Sequence, residues 1–263
     1  LRCFENDNIV HVDGSVNPIR DKETIDMELQ LKDLETIEKK LDKVKRAAKT
    51  GNKEAQKEEA TLLKLKEGLE SGISVRAIEV SEDDREDFVK PLQLITDKPV
   101  LYVCNVDEGS AVSGNDFVEK VKEAVATEKA EVIVLAVGTE ADITELEDYE
   151  ERQMFLQDMG LEEPGSSVLI RAAYKLLNQQ TYFTAGKKEV RAWTVNVGAT
   201  APQAAGVIHT DFEKGFIRAE VIKYNDFVSY GSEAKVKEAG KLAVEGKNYI
   251  VQDGDVMHFL FNV

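Results

Sequence analysis

The sequence predicts an α/β protein whose first part carries an inserted helical hairpin and whose end forms a smaller β-rich module. Three observations lead to this prediction. Between residues 99 and 157, two apolar runs alternate with two helical patterns, which is typical of a parallel sheet with crossover helices. Two apolar stripes at helical spacing flank a turn at Gly51. After Gln179 the pattern changes to short strands separated by turns.

Composition is that of an ordinary soluble globular protein. The chain has 263 residues, of which 42% are hydrophobic and 32% charged. No run of about 18 apolar residues is present, so no membrane span is expected. The first five residues lack the pattern of a signal peptide. Cys3 and Cys104 both lie in apolar segments predicted as strands, and we expect buried, reduced thiols and a cytoplasmic location.

The net charge of -16 is unevenly distributed along the chain. Residues 73–160 hold 8 Lys/Arg against 22 Asp/Glu, which argues against contact between this region and a phosphate backbone. Residues 22–72 (12 against 12) and 180–263 (10 against 10) are neutral. Any contact with RNA is therefore expected from these two stretches.

The first elements are an irregular start and a helical pair. Residues 1–12 predict a strand, a turn and a short extended piece, and their abrupt apolar opening without Met predicts that the natural beginning is missing. Apolar residues then recur at steps of three and four over residues 22–49: Met27, Leu31, Leu34, Ile37, Leu41, Val44 and Ala48. A second stripe consists of Ala55, Leu62, Leu65, Leu69 and Ile73. Two helices of matched length in an antiparallel hairpin are predicted, either packed on their own protein or projecting as a contact arm.

The central elements alternate between strand and helix. Strands are predicted at residues 99–104 and 131–137, and helices at residues 117–125, from 139 to about 157, and 168–177. The end module is predicted to contain a β-hairpin around Gly186-Lys187 and strands at 217–222, 249–251 and 256–261, with one helix across them.

A candidate binding site follows the first central strand. In open α/β sheets, ligands bind at the carboxyl ends of the strands, where Asn105-Val106-Asp107-Glu108 lies. The equivalent loop of G proteins reads Asn-Lys-x-Asp, and its Asp binds guanine through two hydrogen bonds. Val106 and Glu108 replace the Lys and that Asp, so we expect weak guanine recognition and preference for adenine through backbone groups near Val106. An ordinary βα loop is the alternative.

Other candidate residues have structural alternatives. His11, His209 and His258 share no ligand spacing, so no metal site is expected. His209, beside Thr210 and Asp211, fits either acid–base work or structural hydrogen bonds. Trp193 fits either base stacking or a core position.

Two signatures of nucleotide hydrolysis are absent from these 263 residues. Neither G-x-x-x-x-G-K-[ST], which binds phosphates and magnesium, nor a D-x-x-G switch motif occurs. We therefore expect no catalytic residue in this chain, feeble nucleotide binding and no hydrolysis by the chain alone.

Several motifs resemble one family across the whole chain. Asn105-Val-Asp-Glu108 is similar to the Asn-x-x-Glu motif of YchF-type Obg-like ATPases, and the opening Arg2-Cys-Phe-Glu-Asn-Asp7 with Ile9-Val-His-Val12 resembles the segment before their helical insertion. The most specific matches are to their TGS domain: Tyr182-Phe-Thr-Ala-Gly186, Lys188-Glu-Val-Arg-Ala-Trp193, Gly198-Ala-Thr-Ala-Pro-Gln-Ala-Ala205, Ile208-His-Thr-Asp-Phe-Glu-Lys-Gly-Phe-Ile-Arg-Ala219 and Asp253-Gly-Asp255.

The resemblance implies a fold and a domain order. The expected fold is α/β: the remnant of a P-loop NTPase G domain with a parallel sheet, an inserted antiparallel helical hairpin, and a ubiquitin-like β-grasp TGS domain. The implied domains are G-domain residues 1–21, the hairpin at 22–80, the rest of the G domain at 81–179, and the TGS domain at 180–263.

The resemblance also implies function. The full-length protein is expected to hydrolyse ATP, and GTP less well, with Mg²⁺, and to act on ribosomes. Asn105, Val106 and Glu108 are assigned to its base pocket, and this chain alone is expected to hold no cofactor. The alternative is a non-catalytic fragment that binds ribosomes or RNA through the hairpin and TGS domain. TGS domains also occur in threonyl-tRNA synthetases and stringent-response enzymes. Those enzymes lack the helical hairpin and the Asn105-to-Glu108 arrangement ahead of the TGS domain.

Overall fold

The computed structural model describes residues 1–128, 130–186 and 189–262 and shows a mixed α/β fold. The chain divides into two compact units, Leu1–Ala172 and Ala173–Val263. The first contains a parallel two-stranded sheet, and the second a largely antiparallel five-stranded sheet.

Most of the first unit is helical. Its helices are α1 (Pro18–Lys49), α2 (Lys53–Glu70), α3 (Glu82–Asp84), α4 (Asp116–Ala124), α5 (Val137–Glu145), α6 (Tyr149–Asp158) and α7 (Gly165–Leu176), the last of which crosses the division at Ala172. Its strands are β1 (Leu101–Asn105) and β2 (Glu131–Leu135). A π-helical turn (Arg85–Val89) and 3₁₀ turns at Val75–Ala77, Lys90–Leu92, Ile95–Asp97 and Glu108–Ser110 complete it.

The parallel sheet pairs β1 with β2 from Leu101↔Glu131 to Asn105↔Leu135. The strand predicted in residues 1–12 is wrong, because there only Arg2 forms an isolated parallel bridge, to Asn105. Three main-chain hydrogen bonds connect this start to β1: the Leu1 nitrogen donates to the Val103 carbonyl (2.7 Å), Asn105 N–H donates to the Leu1 carbonyl (2.8 Å), and Cys3 N–H donates to the Asn105 carbonyl (2.7 Å). The first residues therefore lie along β1 without forming a strand.

Helices α1 and α2 run in opposite directions on either side of the turn at residues 50–52. The ion pairs Lys40–Glu58 (2.8 Å) and Lys66–Glu38 (2.6 Å) connect them. The prediction of matched lengths is wrong, since α1 has 32 residues and α2 has 18. Helix α1 starts before Lys22 because Asn17 caps it, accepting from the amides of Ile19 and Arg20, and Pro18 suits its first turn.

The buried stripe of α1 differs from the predicted one in its first half. Ile37, Leu41, Val44 and Ala48 are buried against α2 as predicted, but Met27 and Leu31 are 61% and 55% exposed. Gln30 and Asp33 are buried in their place. Asp33 accepts hydrogen bonds from the amides of Ile95 and Thr96, and Gln30 donates to the Gly72 carbonyl. The longer helix passes the end of α2 there, and its inner face meets polar backbone groups.

The single helix predicted from 139 to about 157 is wrong as well, because the structure has α5 and α6 in this region. The segment between them ends at Asp148, whose side chain accepts from the amides of Glu150 and Glu151 and caps α6. A capping aspartate starts a new helix at this point, which the apolar periodicity did not reveal.

The second unit contains a sheet with the strand order β4-β3-β7-β5-β6. Its strands are β3 (Gln179–Ala185), β4 (Val190–Asn196), β5 (Phe216–Ile222), β6 (Ala243–Glu245) and β7 (Val256–Phe261). Its further helices are α8 (Ala201–Ile208), α9 (Thr210–Lys214), α10 (Tyr224–Tyr230) and α11 (Glu233–Glu238). Tyr182, Ala204, Ala219 and Met257 are among the residues buried in its main core.

Sequence-predicted pairing agrees with part of this sheet. Strands β3 and β4 pair antiparallel, whereas Lys187 of the predicted Gly186-Lys187 turn lies outside the described residues. The strand predicted at 249–251 is wrong, since only Ile250 forms a bridge there, to Thr200. The prediction of one helix is wrong too, since α8 to α11 are four. Among the described residues, no helix has the length and apolar character needed to cross a membrane.

Candidate functional site

Asn105 ends β1 and connects the two loops at the carboxyl edge of the parallel sheet. Its Oδ1 accepts a hydrogen bond from the Val137 amide (3.1 Å), the first residue of α5. Ala136 precedes that helix without a side-chain cap, so Asn105 supplies the cap from the neighbouring strand. Asn105 therefore joins the end of β1 to the start of α5.

Val106 points into the core and presents only its backbone to the loop. Val106 is 3% exposed and packs with Cys3, Cys104 and Val118. Its amide donates to the Leu135 carbonyl (2.9 Å). Its carbonyl oxygen has no hydrogen-bond partner in the described part of the chain. Only this carbonyl can serve a ligand, and it would accept from an amino group.

Glu108 is exposed at the start of a 3₁₀ turn, and its carboxylate has no partner in the described ranges. The adjacent Asp107 is used differently: its Oδ1 accepts from the amide and the hydroxyl of Ser110 (both 3.1 Å) and caps the turn. This cap holds the loop while leaving Glu108 free for a ligand. The edge thus combines one free carbonyl with one free carboxylate, both of which accept hydrogen bonds.

Asn115 is a supporting residue whose second role the sequence did not reveal. It caps α4, accepting from the amides of Phe117 and Val118. Its Nδ2 also donates to the Cys3 carbonyl (2.7 Å). It therefore joins the first residues of the chain to the segment after β1.

The two cysteines are fully buried in the same cluster, in agreement with the expectation of buried thiols. A hydrogen bond with Cys104, together with burial, raises the pKa of the Cys3 thiol. A buried thiol that resists ionisation is a poor nucleophile, so Cys3 is not suited to covalent chemistry.

A cluster that the spacing of histidines did not reveal lies before α1. His11, Asp13 and Asp21 come together and could in principle bind a metal ion. However, His11 Nδ1 accepts from the Asp13 amide, so the neutral ring carries its proton on Nε2, which donates to Asp21 (2.9 Å). The Arg20 guanidinium contacts both carboxylates (3.3 and 3.0 Å). The arrangement therefore fits a hydrogen-bonded ion cluster better than a metal site.

The remaining candidates lie in the second unit. His209 Nδ1 accepts from the Asp211 amide (3.2 Å) and caps α9, a structural role. His258 is exposed on β7, opposite Glu220. Trp193 is half-buried against the core, and its Nε1 donates to Thr184 (2.9 Å).

The carboxyl edge of a parallel sheet is the place at which open α/β proteins bind ligands. Comparison with known proteins identifies the family within that class. The family model YchF-GTPase_C, described as a protein of unknown function (DUF933), matches residues 179–262. The Ribosome-binding ATPase YchF of Escherichia coli O157:H7 is 54% identical over 263 residues, which are 100% of this chain and 72% of that protein.

Two further relatives agree. The Ribosome-binding ATPase YchF of Bacillus subtilis (strain 168) is 52% identical over 265 residues, again with 100% of this chain and 72% of that protein covered. The structure of the Schizosaccharomyces pombe YchF GTPase superimposes with a TM-score of 0.81 and 34% identity, covering 98% of this chain and 70% of that one. The chain belongs to the YchF family.

Proposed function

We propose that this chain is part of a cytoplasmic, ribosome-associated ATPase that prefers ATP to GTP. Its relatives are named ribosome-binding ATPases, which supports ribosome association and a nucleotide-dependent activity. The observation that supports the base pocket is the free Val106 carbonyl and Glu108 carboxylate beside a loop fastened by Asn105.

The base pocket would distinguish adenine from guanine through the Val106 carbonyl. Adenine carries an exocyclic amino group that donates to a carbonyl, whereas guanine carries a carbonyl at the same ring position, which a second carbonyl repels. Glu108 replaces the shorter aspartate that binds guanine in G proteins. ATP would therefore be preferred, with GTP a weaker ligand.

Hydrolysis belongs to the full-length protein in this proposal. ATP phosphates and Mg²⁺ would be bound by a P-loop, and that signature does not occur in these 263 residues. The chain by itself would bind nucleotide weakly and hydrolyse none.

Ribosome contact is assigned to α1–α2 and to the second unit, the latter as a TGS domain of the β-grasp type. The proposed domains are G-domain residues 1–21 and 81–179, the helical hairpin at 22–80 and the TGS domain at 180–263. The end of the helical pair is basic: residues 43–53 contain five Lys/Arg and no Asp/Glu. Such a tip suits the phosphates of ribosomal RNA.

Base preference is tested with Glu108→Asp in the full-length protein. Val106→Lys is unsuitable because it would bury a lysine in the core. A carboxylate at the distance that guanine requires should lower the ATP:GTP affinity ratio about tenfold, since a hydrogen bond to a charged group is worth about 1.5–3 kcal/mol. Affinities are measured by calorimetry, with the exposed Glu123→Asp of α4 as control. An unchanged ratio in Glu108→Asp contradicts the pocket.

Ribosome contact is tested by co-sedimentation at low and high salt. The double variant Arg46→Glu/Lys49→Glu reverses two charges at the basic tip and should lose most binding at low salt. Lys32→Glu/Lys64→Glu reverses the same number of charges away from the tip, on α1 and α2, and should sediment like the wild type. Equal loss in both variants would argue against a specific role for the tip.

A further inference from the structure

An open pocket of about 420 Å³ lies at the end of strand β4 in the second unit. Its walls come from the first residue of β3, the last residues of β4, the loop that follows, and α8. A volume of this size is typical of small-molecule sites. The loops at the carboxyl edge of the parallel sheet contribute no residue to this pocket. The pocket also contains part of the Gly198–Ala205 motif, to which the proposed function assigns no role.

Three amide side chains line this pocket: Gln179, Asn196 and Gln203. Gln203 uses its Oε1 to accept from the Thr200 amide (2.8 Å), which leaves its Nε2 free to donate. The side chains of Gln179 and Asn196 have no hydrogen-bond partner within the described residues. Free amides present donors and acceptors side by side and are available to a ligand.

The rest of the lining is apolar or neutral. Val197 and Val207 are 50% and 46% exposed, unusually open for valines in a concave site. None of the described residues that line the pocket is charged. An amino acid would bring an ammonium and a carboxylate without counter-charges, which is costly. The lining instead suits a neutral planar ring with donors and acceptors at its edge and apolar faces.

We propose that this pocket binds a nucleobase, with the amides of Asn196 and Gln203 on its hydrogen-bonding edge and Val197 and Val207 against its face. Asn196 presents a donor and an acceptor together, as amide side chains do on the edge of a base, and Gln203 adds a donor. The base comes from a free nucleoside or from an unpaired nucleotide of RNA. The RNA source rests on the proposed ribosome association, whereas the pocket itself does not.

The surroundings favour the RNA source. Strand β4 is an edge strand, so the pocket opens beside a strand that carries no further neighbour in the described sheet. Arg191 is exposed on β4, with its guanidinium 4.1 Å from the centre of the Trp193 ring. It lies four residues before Val195, about 13 Å along the strand. Its charge is available to a backbone phosphate further along an RNA strand whose base fills the pocket.

The first test uses NMR on the ¹⁵N-labelled chain. Adenosine, cytidine, guanosine and uridine are titrated separately while the side-chain amide resonances of Asn196 and Gln203 are followed. Saturable shifts of these resonances support the pocket for any nucleoside that produces them. Asn225, exposed on α10 outside the pocket lining, serves as the internal control and should not shift.

The second test separates base binding from phosphate binding. A fluorescein-labelled single-stranded RNA and an abasic ribose–phosphate strand of the same length are titrated with wild type, Asn196→Ala, Val207→Trp and Asn225→Ala. Asn196→Ala should weaken RNA binding at least about fivefold. Val207→Trp, which fills the mouth, should do the same. Neither should change binding of the abasic strand, and Asn225→Ala should change neither.

Either source of the base supports the pocket: shifts with nucleosides but no RNA effect identify a free nucleoside, and the reverse identifies RNA. No nucleoside shift together with unchanged RNA binding in Asn196→Ala and Val207→Trp overturns it. Equal weakening for RNA and abasic strands also overturns it, since phosphate would then be the ligand. Ribosome co-sedimentation of the same variants keeps the two proposals apart, because intact sedimentation with a failed pocket leaves the proposed function standing.

Discussion

At the residue scale, buried polar groups decide how the first unit is held together. Asp33 is 2% exposed, and its carboxylate accepts from the Ile95 amide (2.8 Å) and from the Thr96 amide and hydroxyl (both 2.7 Å). Thr96 in turn accepts from the Val75 amide (3.1 Å). This series of hydrogen bonds connects α1 to the 3₁₀ turns at Val75–Ala77 and Ile95–Asp97, which are far from it in sequence. A carboxylate here satisfies several buried donors at once.

Asp33→Ala should therefore destabilise the protein by about 2–4 kcal/mol, because it leaves buried donors without acceptors. The exposed Asp42, on the same helix, pairs with Lys45 at 3.8 Å, and Asp42→Ala should change stability by less than about 0.5 kcal/mol. Urea unfolding followed by circular dichroism measures both. Similar losses in the two variants would contradict this role for Asp33.

A second polar group lies where α1 meets the sheet. The Tyr102 hydroxyl donates to Glu128 (2.9 Å), which also pairs with Lys22 (2.8 Å) and Arg76 (3.5 Å). Burial, and then the hydrogen bond to Glu128, raise the pKa of Tyr102 to about 12. Because an unfolded tyrosine titrates near pH 10, the folded state retains this proton longer.

The sign of the pH dependence follows from that difference. Tyr102 contributes stability that is complete below about pH 10 and is lost as the pH rises to about 12. Tyr102→Phe should thus show a shallower fall in unfolding free energy over this range, by at most about 1.4 kcal/mol per pH unit. Urea unfolding at stepwise increasing pH gives the slope. Tyr149→Phe, at a 72% exposed position, should keep the wild-type slope, and an unchanged slope in Tyr102→Phe refutes the assignment.

At the element scale, the helical pair is held by one continuous apolar cluster. Ile37 and Leu41 of α1 meet Leu62 and Leu65 of α2, all nearly or fully inaccessible. The cluster also includes Val75 and Leu94, which belong to segments outside the pair. The base of the helical pair therefore shares its core with the rest of the first unit.

Leu62→Ala should cost about 2–5 kcal/mol, since it removes a fully buried side chain and leaves a cavity. The next residue is a matched control: Leu63 is 47% exposed, and Leu63→Ala should be nearly neutral. Thermal and urea unfolding of both variants test the register of α2. If Leu63→Ala were the more damaging change, Leu63 and not Leu62 would face the core of the helical pair, which would contradict this register of α2.

At the scale of the whole molecule, each unit has its own core. The second unit buries Tyr182, Val251 and Met257 in one cluster and Val236 in another. Strand β7 lies at the centre of its sheet, and the buried Asp255 before it accepts from Lys223 and Tyr249 (both 2.6 Å). These features describe a module able to fold alone.

The fragment of residues 173–262 should thus fold cooperatively, with dispersed NMR resonances and a single urea transition. The fragment of residues 173–248 loses Asp255 and the central β7, and it should remain unfolded because the sheet is then split. A disordered longer fragment would show that the second unit depends on the first.

Sequence alone determined the helical pair, the two parallel strands and most strands of the second unit, because apolar periodicity reports which face of a segment is buried. The stripe from Ile37 to Ala48, the strands β1 and β2, and the loop at Asn105 were all located in this way. The resemblance of the motifs identified the family. Local capping at Asn17 and Asp148 shifted or divided helices, since a single polar residue there outweighs a weak apolar pattern.

Only the tertiary structure decided which polar residues are buried and which apolar ones are exposed. Asp33 is buried and Met27 is exposed because α1 extends beyond the end of α2. There its inner face meets backbone N–H donors instead of the apolar side chains of α2. The Asn105–Val137 contact and the clustering of His11 with Asp21 join residues 32 and 10 positions apart. The pocket at β4 is formed by residues from two strands, a loop and a helix. Such contacts depend on where the chain returns in space, which periodicity does not encode.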